Sequence, residues 1–555
     1  MSKSGEAGEA GEAKPRKITM SPTSKIRRYR DEDGTEWSLI RFKRYDHLEE
    51  TALLPRQKAM NPKELKNALL ARGATLDEAN LDFARLEAEL PPGCGILASR
   101  TGWHNRSFLI SANRCIGDDD VLLNPALKVG SILDAPSSAG TLEGWREHVA
   151  KPALRSDYTA FAILHALAAP LFRFSRSSLQ EGALFHLWAS GSTGKTTALK
   201  VGASVAGPQA HLPDWDASTR ALQELAATRS GLQLVLDDTE KIKDAAKWRV
   251  LGSTVHQLTG GKGTTYSQAV QDRLPNVKFD GWGLSTGPLS IEAEFAVGRN
   301  IRTDGDRARM IDIPVPGKAE GGIWSAANYP GKKARAKASE RLANHAKEYH
   351  GAALIEWVTY LVANQDTLEA SVTGYIDKFV DHVCPDQGGV QRRIAQKFGL
   401  MFAAGRLAIE AGILPWMPRD CGRLLSRIYR CSQQEAQNPE KPQDDPATAI
   451  WQATRDRNVL PRFANGEDIK IVESCPGFIA GPSGKRRLFM STDALSVLFP
   501  DTLASTIDQL TSLGIALKGD GGKRTRQIRV SVGGRQKKVR FVAFNLRSLK
   551  KAAVG

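Results

Sequence analysis

The segment His186–Lys200, HLWASGSTGKTTALK, decides how the middle of this 555-residue chain folds. The apolar run Leu184–Trp188 predicts a buried strand, a glycine-containing loop follows it, and a helix-forming run starts at Lys195. The loop follows the pattern G-x-x-x-x-G-K-[ST] except at its first position, where Ala189 stands. Helical and apolar-strand patterns alternate through the neighbouring sequence, which favours a parallel sheet covered by helices.

This loop carries the groups that hold the phosphates of a nucleotide. Glycine lets the backbone turn its N–H groups inward, and Gly191 offsets part of what Ala189 removes. Lys195 supplies a charge for the β- and γ-phosphates, and Thr196 supplies a hydroxyl for Mg²⁺. We therefore expect ATP to be bound by Ser190, Gly191, Ser192, Thr193, Gly194, Lys195, Thr196 and Thr197.

A second apolar strand, which ends in carboxylates, supplies the remaining residues of the predicted ATP site. The segment 231–241, GLQLVLDDTEK, places Asp237 42 residues after Lys195, enough for a helix, a loop and a strand between them. Asp237 is predicted to hold Mg²⁺ together with Thr196. Asp238 stands where a glutamate usually polarises the attacking water, and because aspartate is one methylene shorter, Glu240 is a rival for that role.

Two later segments extend the site. In the apolar strand WGLSTGPLSI, Ser285 and Thr286 are placed to sense the γ-phosphate. Arg307 and Arg309 directly precede the apolar run MIDIPV, and an arginine there could reach the nucleotide of a neighbouring subunit. Such an arrangement makes ATP turnover depend on the assembly of subunits into a ring. The alternative for both arginines is a structural salt bridge.

The charge of the chain points to a polyanionic partner. Its formal net charge is +16, and the segment Lys485–Lys550 holds 14 Lys and Arg against 4 Asp and Glu. Concentrated positive charge is typical of nucleic-acid binding, although a solvated basic surface would look the same. No uncharged apolar run is long enough for a membrane span, and the six scattered cysteines fit a reducing cytoplasm.

These motifs together resemble a known family. HLWASGSTGKTTALKVGASV, LVLDD, LSTG, RMIDIPV and the upstream SRTGWHNRSFLI are similar to proteins with the domain of unknown function 927 (DUF927). Those proteins are helicase-like ATPases of phages, plasmids and integrated islands, including self-loading helicases of mobile cassette chromosomes. The resemblance covers roughly residues 95–430 and, more loosely, the C-terminal region.

The resemblance implies an α/β P-loop NTPase of the AAA+ class that forms a hexameric ring and hydrolyses ATP in response to DNA. It also places a sensor arginine of the helical lid at Arg393, with Arg392 as competitor. The chain departs from the family pattern at Ala189 and at Asp238, and the second departure could slow hydrolysis.

We expect six segments along the chain. The predicted order is a disordered tail (1–22), a mixed α+β N-terminal domain (23–150), an AAA+ core with a parallel sheet flanked by helices (151–315), a helical lid (316–431), a linker (432–448) and a basic winged-helix-like domain (449–555). In the second segment a hairpin is predicted over Ser99–Ile110 with its turn at Asn105-Arg106. Its aromatic residues Trp103 and Phe108 could stack on a base, but burial is the more common use of such residues.

DNA contacts are predicted at two places. Single-stranded DNA in the pore of a ring would meet Lys262 in the glycine-flexed loop TGGKGTTYS, unless this is an ordinary loop. Duplex DNA would meet the wing of the C-terminal module through Lys523, Arg524, Arg526 and Arg529, with Arg535, Lys537 and Lys538 in the next turn. The alternative for this module is a winged helix that binds protein.

The sequence thus predicts a cytoplasmic, ring-forming DNA helicase or translocase of a mobile element. It would use ATP and Mg²⁺, act in replication beside other replication proteins of the element, and not bind membranes. The rival interpretation is a DNA-binding ATP switch, a loader or regulator with little turnover, which Asp238 keeps open. A small-molecule P-loop kinase would leave the basic C-terminus and the two arginines unexplained.

Overall fold

The chain forms two compact units, Met1–Gln437 and Asn438–Gly555. The computed structural model describes residues 16–17, 25–90, 92–112, 114–124, 137–208, 212–243, 247–263, 278–297, 301–325, 328–385, 388–437, 446–456, 460–464, 467–471, 475–482, 484–499, 503–532 and 535–554. Of the predicted tail 1–22, only residues 16–17 lie within these ranges, and they form a short strand instead of being disordered. Of the predicted linker 432–448, residues 438–445 lie outside these ranges, whereas 432–437 and 446–448 are helical.

The first unit begins with a five-stranded sheet. Its strand order is β4-β3-β2-β5-β9, and short helices pack on it. The predicted strand EWSLIRF and the predicted helix at NPKELKNALL are both confirmed, the helix being capped by the Asn61 side chain. The elements are β2 (Ile26–Asp31), β3 (Glu36–Lys43), β4 (Glu49–Pro55), β5 (Gly95–Ala98), β9 (Val121–Leu123), α1 (Arg56–Ala59), α2 (Pro62–Leu70), α3 (Leu76–Ala79) and α4 (Phe83–Ala88).

A four-stranded sheet follows and contains the predicted hairpin. Its order is β1-β8-β7-β6, with β1 at Arg16–Lys17, β6 at Gly102–His104, β7 at Ser107–Ser111 and β8 at Arg114–Ile116. Asn105 makes the turn with a φ of 47°, a conformation that asparagine tolerates. Trp103 and Phe108 are buried edge to face at 5.2 Å, and the Trp103 indole donates to the carbonyl of Pro170. These rings are therefore core residues and cannot stack on a base.

A parallel sheet occupies the centre of the first unit. Its order is β11-β12-β10-β13, and every neighbouring pair is parallel. Since strands of such sheets are covered on both faces, they read as continuous apolar runs, as ALFHLW does here. The strands are β10 (Ala183–Trp188), β11 (Leu234–Leu236), β12 (Trp282–Gly287) and β13 (Met310–Pro314).

Helices surround this sheet. One hydrophobic core runs from Trp103 of the hairpin through α7 and β10 to Tyr429 of the last long helix, so these parts fold around shared apolar side chains. The helices are α5 (Leu142–Trp145), α6 (Lys151–Ala153), α7 (Asp157–Ala168), α8 (Lys195–Ala203), α9 (Thr219–Thr228), α10 (Lys247–Gly260), α11 (Ile291–Val297), α12 (Asp304–Arg309), α13 (Lys332–Glu348), α14 (Ala352–Val383), α15 (Gly389–Glu410) and α16 (Pro418–Gln437). A π-helical turn (Arg146–Ala150) and 3-10 turns (Ala169–Ser175 and Thr239–Lys241) connect some of them.

The second unit is built on a mixed sheet. Its order is β14-β16-β17-β20-β19-β15, and β18 also pairs with β20. The two helices and the strand pair predicted near the C-terminus are present, but the strand pair is part of this larger sheet. The elements are α17 (Pro446–Asp456), β14 (Arg462–Phe463), β15 (Lys470–Ile471), β16 (Gly477–Ala480), β17 (Arg487–Ser491), α18 (Thr492–Leu498), α19 (Leu503–Ser512), β18 (Ala516–Leu517), the 3-10 turn Asp520–Gly522, β19 (Arg526–Val532), β20 (Arg535–Asn545) and α20 (Leu546–Val554).

The chain is therefore a mixed α/β protein with a central parallel sheet. No helix within the described ranges is long and apolar enough to cross a membrane.

Candidate nucleotide-binding site

The loop between β10 and α8 has the backbone of a phosphate cradle. Gly191 and Gly194 have φ values of 67° and 96°, which glycine adopts without strain. Ala189 is not among the residues with positive φ, and it is buried with its N–H bonded to the carbonyl of Gly287. The first position of the loop therefore does not require glycine, and the departure at Ala189 leaves the cradle intact.

A cavity of about 450 Å³ opens above this loop. It collects residues from the loop, from the end of β11 and from the end of β12, as expected where the carboxyl ends of parallel strands meet. The lining residues are Ala189, Gly191, Ser192, Thr193, Gly194, Lys195, Thr196, Thr197, Asp237, Asp238, Glu240, Thr286, Gly287 and Pro288. Of the predicted ATP-binding residues, Ser190 and Ser285 are not in this lining.

Lys195 reaches across the loop. Its ammonium donates to the carbonyl of Ala189 at 2.6 Å and to that of Gly191 at 3.3 Å. Burial lowers the pKa of Lys195, and the carboxylates of Asp238, Asp237 and Glu240 oppose this shift. The loop carbonyls hold the charged end of Lys195 where a phosphate could replace them.

Asp237 meets two hydroxyl groups. The Thr196 hydroxyl lies 3.3 Å from both of its carboxylate oxygens, and the Thr286 hydroxyl donates to Oδ1 at 2.6 Å. A carboxylate beside a hydroxyl, with room for water, is a donor set that suits Mg²⁺. Thr196 and Asp237 therefore fit the metal that the sequence assigned to them.

Asp238 has an unusual backbone. Its φ is 60°, a region that aspartate tolerates far better than longer side chains. Its Oδ1 accepts from the N–H of Glu240 at 3.0 Å and caps the short turn Thr239–Lys241. Both carboxylates line the cavity, with Glu240 exposed, so the choice between them stays open.

The structure separates the two predicted sensors. Thr286 faces the acidic residues, whereas Ser285 is fully buried and bonds to Trp215 at 3.0 Å and to His186 at 3.2 Å. Successive residues of a strand point to opposite faces, so only one of the two can reach the nucleotide. The assignment of Ser285 to the site is wrong.

One part of the site is not predicted by any sequence motif. Residues Gly322 and Ile323 pass under the loop, where the Ile323 N–H donates to the carbonyl of Thr193 at 2.9 Å. Added side-chain atoms at Gly194 would meet Ile323 at 2.7 Å, and at Gly322 they would meet the Thr193 carbonyl at 2.3 Å. The Gly-Gly pair 321–322 was a signal of a tight turn, but the partner of that turn could not be inferred from it.

A second charged cluster lies at the amino edge of the sheet. Glu181, just before β10, binds Arg309 at 2.7 Å and also pairs with Arg393, while the buried Lys397 lies 3.6 Å from it. Arg307 binds Glu292 at 3.2 Å and Asp304 at 3.5 Å instead.

This cluster is separated from the loop by the length of β10, about 20 Å for six residues. A role for Arg393 as a sensor of the nucleotide in its own chain is therefore wrong. Arg309 lies at this edge through Glu181, whereas Arg307 pairs with Glu292 of α11, the helix that follows the carboxyl end of β12; neither arginine lines the cavity of its own chain.

The residues predicted to contact DNA differ in their surroundings: some are exposed, and others are bound by neighbouring groups. Lys262 lies in the described part of its loop, opposite Lys278, but residues 264–277 are outside the described ranges. In the second unit, Arg524 is bound by Asp508 at 2.6 and 2.7 Å, and Arg526 donates to the carbonyl of Lys518. Lys523 and Arg529 are exposed, and Arg529 stands directly opposite Lys538 in the hairpin β19–β20.

Comparison with known proteins agrees with the motifs. The family model described as "Domain of unknown function (DUF927)" matches residues 2–270, nearly half of the chain. This part of the chain is similar to the DUF927 family. The match takes in the N-terminal sheet as well as the loop and β11, and it ends before Thr286.

The chain also resembles a solved structure over most of its length. That structure is described as "SCCmec type IV Cch - active helicase"; the TM-score is 0.53, the identity 16%, and the alignment covers 95% of this chain and 94% of the other. The likeness is one of fold. No curated protein matches the chain.

Proposed function

We propose that this protein is an ATP-driven DNA helicase or translocase of a mobile genetic element. The observation that carries the proposal is the meeting of Lys195, Thr196, Asp237 and Thr286 in one cavity at the carboxyl edge of a parallel sheet. These are the groups that bind phosphates and a divalent cation in P-loop NTPases. The solved helicase of the same fold favours helicase activity among the functions of such a site.

The strand order supports an AAA+ core. β12 lies between the strand that precedes the loop and the acidic strand β11, so that its end delivers Thr286 to the carboxylate of Asp237. A metal held by Thr196 and Asp237 would neutralise phosphate charge. Lys195 would bind the β- and γ-phosphates, and Asp238 or Glu240 would orient the attacking water.

A ring of subunits, with six as the expected number, would bring the opposite edge of the sheet into use. Neither Arg307 nor Arg309 lines the nucleotide cavity of its own chain, and either could contact the nucleotide of a neighbour. DNA would pass Lys262 inside the ring, and the C-terminal module would contact duplex DNA in the manner of a winged helix. Arg529 opposite Lys538 favours this contact, since like charges facing each other in a hairpin destabilise it unless a polyanion lies across them.

The first test is ATP hydrolysis with and without single-stranded DNA, for the native chain and for Lys195→Ala. The proposal expects a rate that DNA stimulates and that the variant loses, followed by strand displacement in a helicase assay. A native rate that is independent of DNA would contradict it.

The ring is tested by mixing inactive variants. Arg309→Ala and Arg307→Ala should each be made and mixed with Lys195→Ala. The arginine that acts on a neighbour gives a variant that binds ATP, fails to hydrolyse it alone and regains part of the rate in the mixture. Absence of recovery in both mixtures, with ATP binding intact, would contradict action between subunits.

A DNA-binding ATP switch is the second candidate. The cap that Asp238 provides to its own turn occupies one of its carboxylate oxygens, which favours slow hydrolysis. ATP binding with negligible turnover on every DNA substrate would select this function.

A further inference from the structure

A second open cavity lies in the helical part of the first unit. It has a volume of about 660 Å³, lies between α14, α15 and α16, and shares no lining residue with the nucleotide cavity. We call it the helical groove. Its lining residues are Lys378, Phe379, His382, Phe402, Gly422, Arg423, Ser426, Arg427 and Arg430.

The helical groove is positively charged. Lys378, Arg423, Arg427 and Arg430 are exposed at its rim, and no acidic residue lines it. Arg427 is held by Asp157 at 2.7 Å and Arg423 by Asp420 at 2.9 Å, which fixes the direction of both guanidinium groups. Lys378 and Arg430 have no carboxylate partner within the described part of the chain, so the groove keeps an uncompensated positive charge.

A buried hydroxyl adds a second, independent feature. Ser426 is 3% exposed and lines the groove, and its Oγ has no hydrogen-bond partner among the described residues. Leaving a buried polar atom without a partner is unfavourable, so such an atom can mark a place where a bound group supplies the missing hydrogen bond. A hydroxyl between arginines offers the donors that phosphate oxygens accept.

The shape of the groove suits a chain of phosphates. Arg423, Arg427 and Arg430 follow one face of α16 over seven residues, about 10 Å along the helix axis, which exceeds the size of one phosphate. Phe379 and Phe402 are 2% and 8% exposed, so their rings form an apolar floor and present no face on which a base could stack. Recognition would therefore depend on the phosphates and not on the bases.

We propose that the helical groove binds the phosphate backbone of nucleic acid without regard to sequence. The positive rim, the orphaned Ser426 hydroxyl and the run of arginines together carry this inference; that the polyanion is DNA rests on the proposed function. The groove is distinct from Lys262 and from the C-terminal hairpin, so it would add a third contact with nucleic acid.

The test measures binding of the full chain to a fluorescent single-stranded oligonucleotide and to the same sequence as duplex, without ATP. The double variant Lys378→Gln/Arg430→Gln removes the two cations that lack ion pairs. We expect affinity to fall on the order of tenfold at low salt and the salt dependence of binding to the single strand to drop by about 1.4 in slope, for two lost phosphate contacts. The matched control, Lys63→Gln/Arg72→Gln, makes the same charge change at exposed residues near α2, which have no ion pair within the described ranges, and should bind like the native chain.

Two further variants test whether binding depends on the groove itself or only on the positive charge of the chain. Gly422→Leu keeps every charge and fills the floor beside Phe402, where an added side-chain atom meets only the edge of that ring at 3.5 Å. It should weaken binding as the double variant does, and Ser426→Ala should weaken it less. Equal binding by the native chain, the double variant and Gly422→Leu on both probes would overturn the proposal.

The source of the phosphate is tested with pyrophosphate as a competitor. Binding of pyrophosphate that depends on Lys378 and Arg430, without oligonucleotide binding that depends on them, would overturn the assignment to a nucleic-acid backbone. ATP hydrolysis without DNA is measured on the same samples as a control for folding. Failure of the proposed function would appear as a hydrolysis rate that single-stranded DNA does not stimulate or that Lys195→Ala does not abolish, whereas failure of the groove would appear only in oligonucleotide binding.

Discussion

The hydroxyl of Thr286 joins the ends of β11 and β12: it donates to Oδ1 of Asp237 at 2.6 Å and accepts from the N–H of Asp238 at 3.0 Å. One side chain thereby fixes both the carboxylate assigned to Mg²⁺ and the backbone of the residue beside it. Outer partners of this kind orient the groups that hold a metal.

Replacement of Thr286 by valine should therefore slow ATP hydrolysis. Valine keeps the shape but removes both hydrogen bonds, so we expect a loss of about 10-fold to 100-fold in rate or in apparent affinity for Mg²⁺. Steady-state hydrolysis over a range of Mg²⁺ concentrations measures both. Thr286→Ser keeps the hydroxyl and should retain most of the rate; equal losses in the two variants would show that the hydroxyl is not what matters.

Replacement of Ala189 by glycine restores the family pattern but should bring no gain in ATP affinity. Because the φ of Ala189 is not positive, glycine is not required there; the replacement would add freedom to the unfolded chain and remove a buried methyl group. We expect the free energy of unfolding to fall by about 0.4–1 kcal/mol, measured by urea titration, with the dissociation constant for ATP unchanged. A gain of about tenfold in affinity, or 1.4 kcal/mol, would mean that alanine does impair the cradle.

Replacement of Asp238 by glutamate should lower hydrolysis even though it restores the more usual residue. The φ of 60° and the cap on the turn after it both favour the shorter side chain. Asp238→Asn keeps the conformation and the cap acceptor while removing the charge. If Asp238 orients the water, this variant should bind ATP normally and lose about 100-fold to 10,000-fold in rate.

The same measurement on Glu240→Gln decides between the two carboxylates. A large loss for Glu240→Gln with near-native turnover for Asp238→Asn would assign the role to Glu240. ATP binding is measured for both variants as a control, and neither substitution should weaken it.

The buried Lys397 should make stability depend on pH. Burial lowers its pKa to about 8 from 10.5, against the pull of Glu181, so between these values the unfolded chain holds a proton that the folded chain has lost. Stability contributed at this position therefore rises as pH increases from about 8 to 10.5. Lys397→Met should abolish this rise, and below pH 8 it should be neutral or stabilising because a buried charge is removed while Arg309 and Arg393 still neutralise Glu181.

Urea titrations of the native chain and the variant across this range give the difference directly. Lys337→Met, which removes an exposed lysine of α13, is the matched control and should leave the profile of the native chain unchanged. Parallel profiles for the native chain and Lys397→Met would contradict the prediction.

The sequence predicts the parts of the site that depend on neighbouring residues. The loop, α8 and Asp237 follow from local patterns, and the hairpin turn at Asn105 follows from its residue type. The sequence could not show which of Ser285 and Thr286 faces the nucleotide. β12 is buried on both faces, so its residues do not alternate between apolar and polar. The pairing of Arg393 with Glu181 joins residues 212 apart in sequence, and no local pattern encodes such a contact.

The passage of Ile323 under the loop bears on where the protein can be cut. A fragment of residues 151–315 would contain every motif residue of the nucleotide cavity, yet it would lack the backbone that bonds to Thr193 and the carbonyl that accepts from Ser156. Such a fragment would retain the chemical groups for ATP without the floor that shapes their loop. A fragment that folds on its own should therefore extend past β13, the last strand of the sheet in the sequence, and include Ile323.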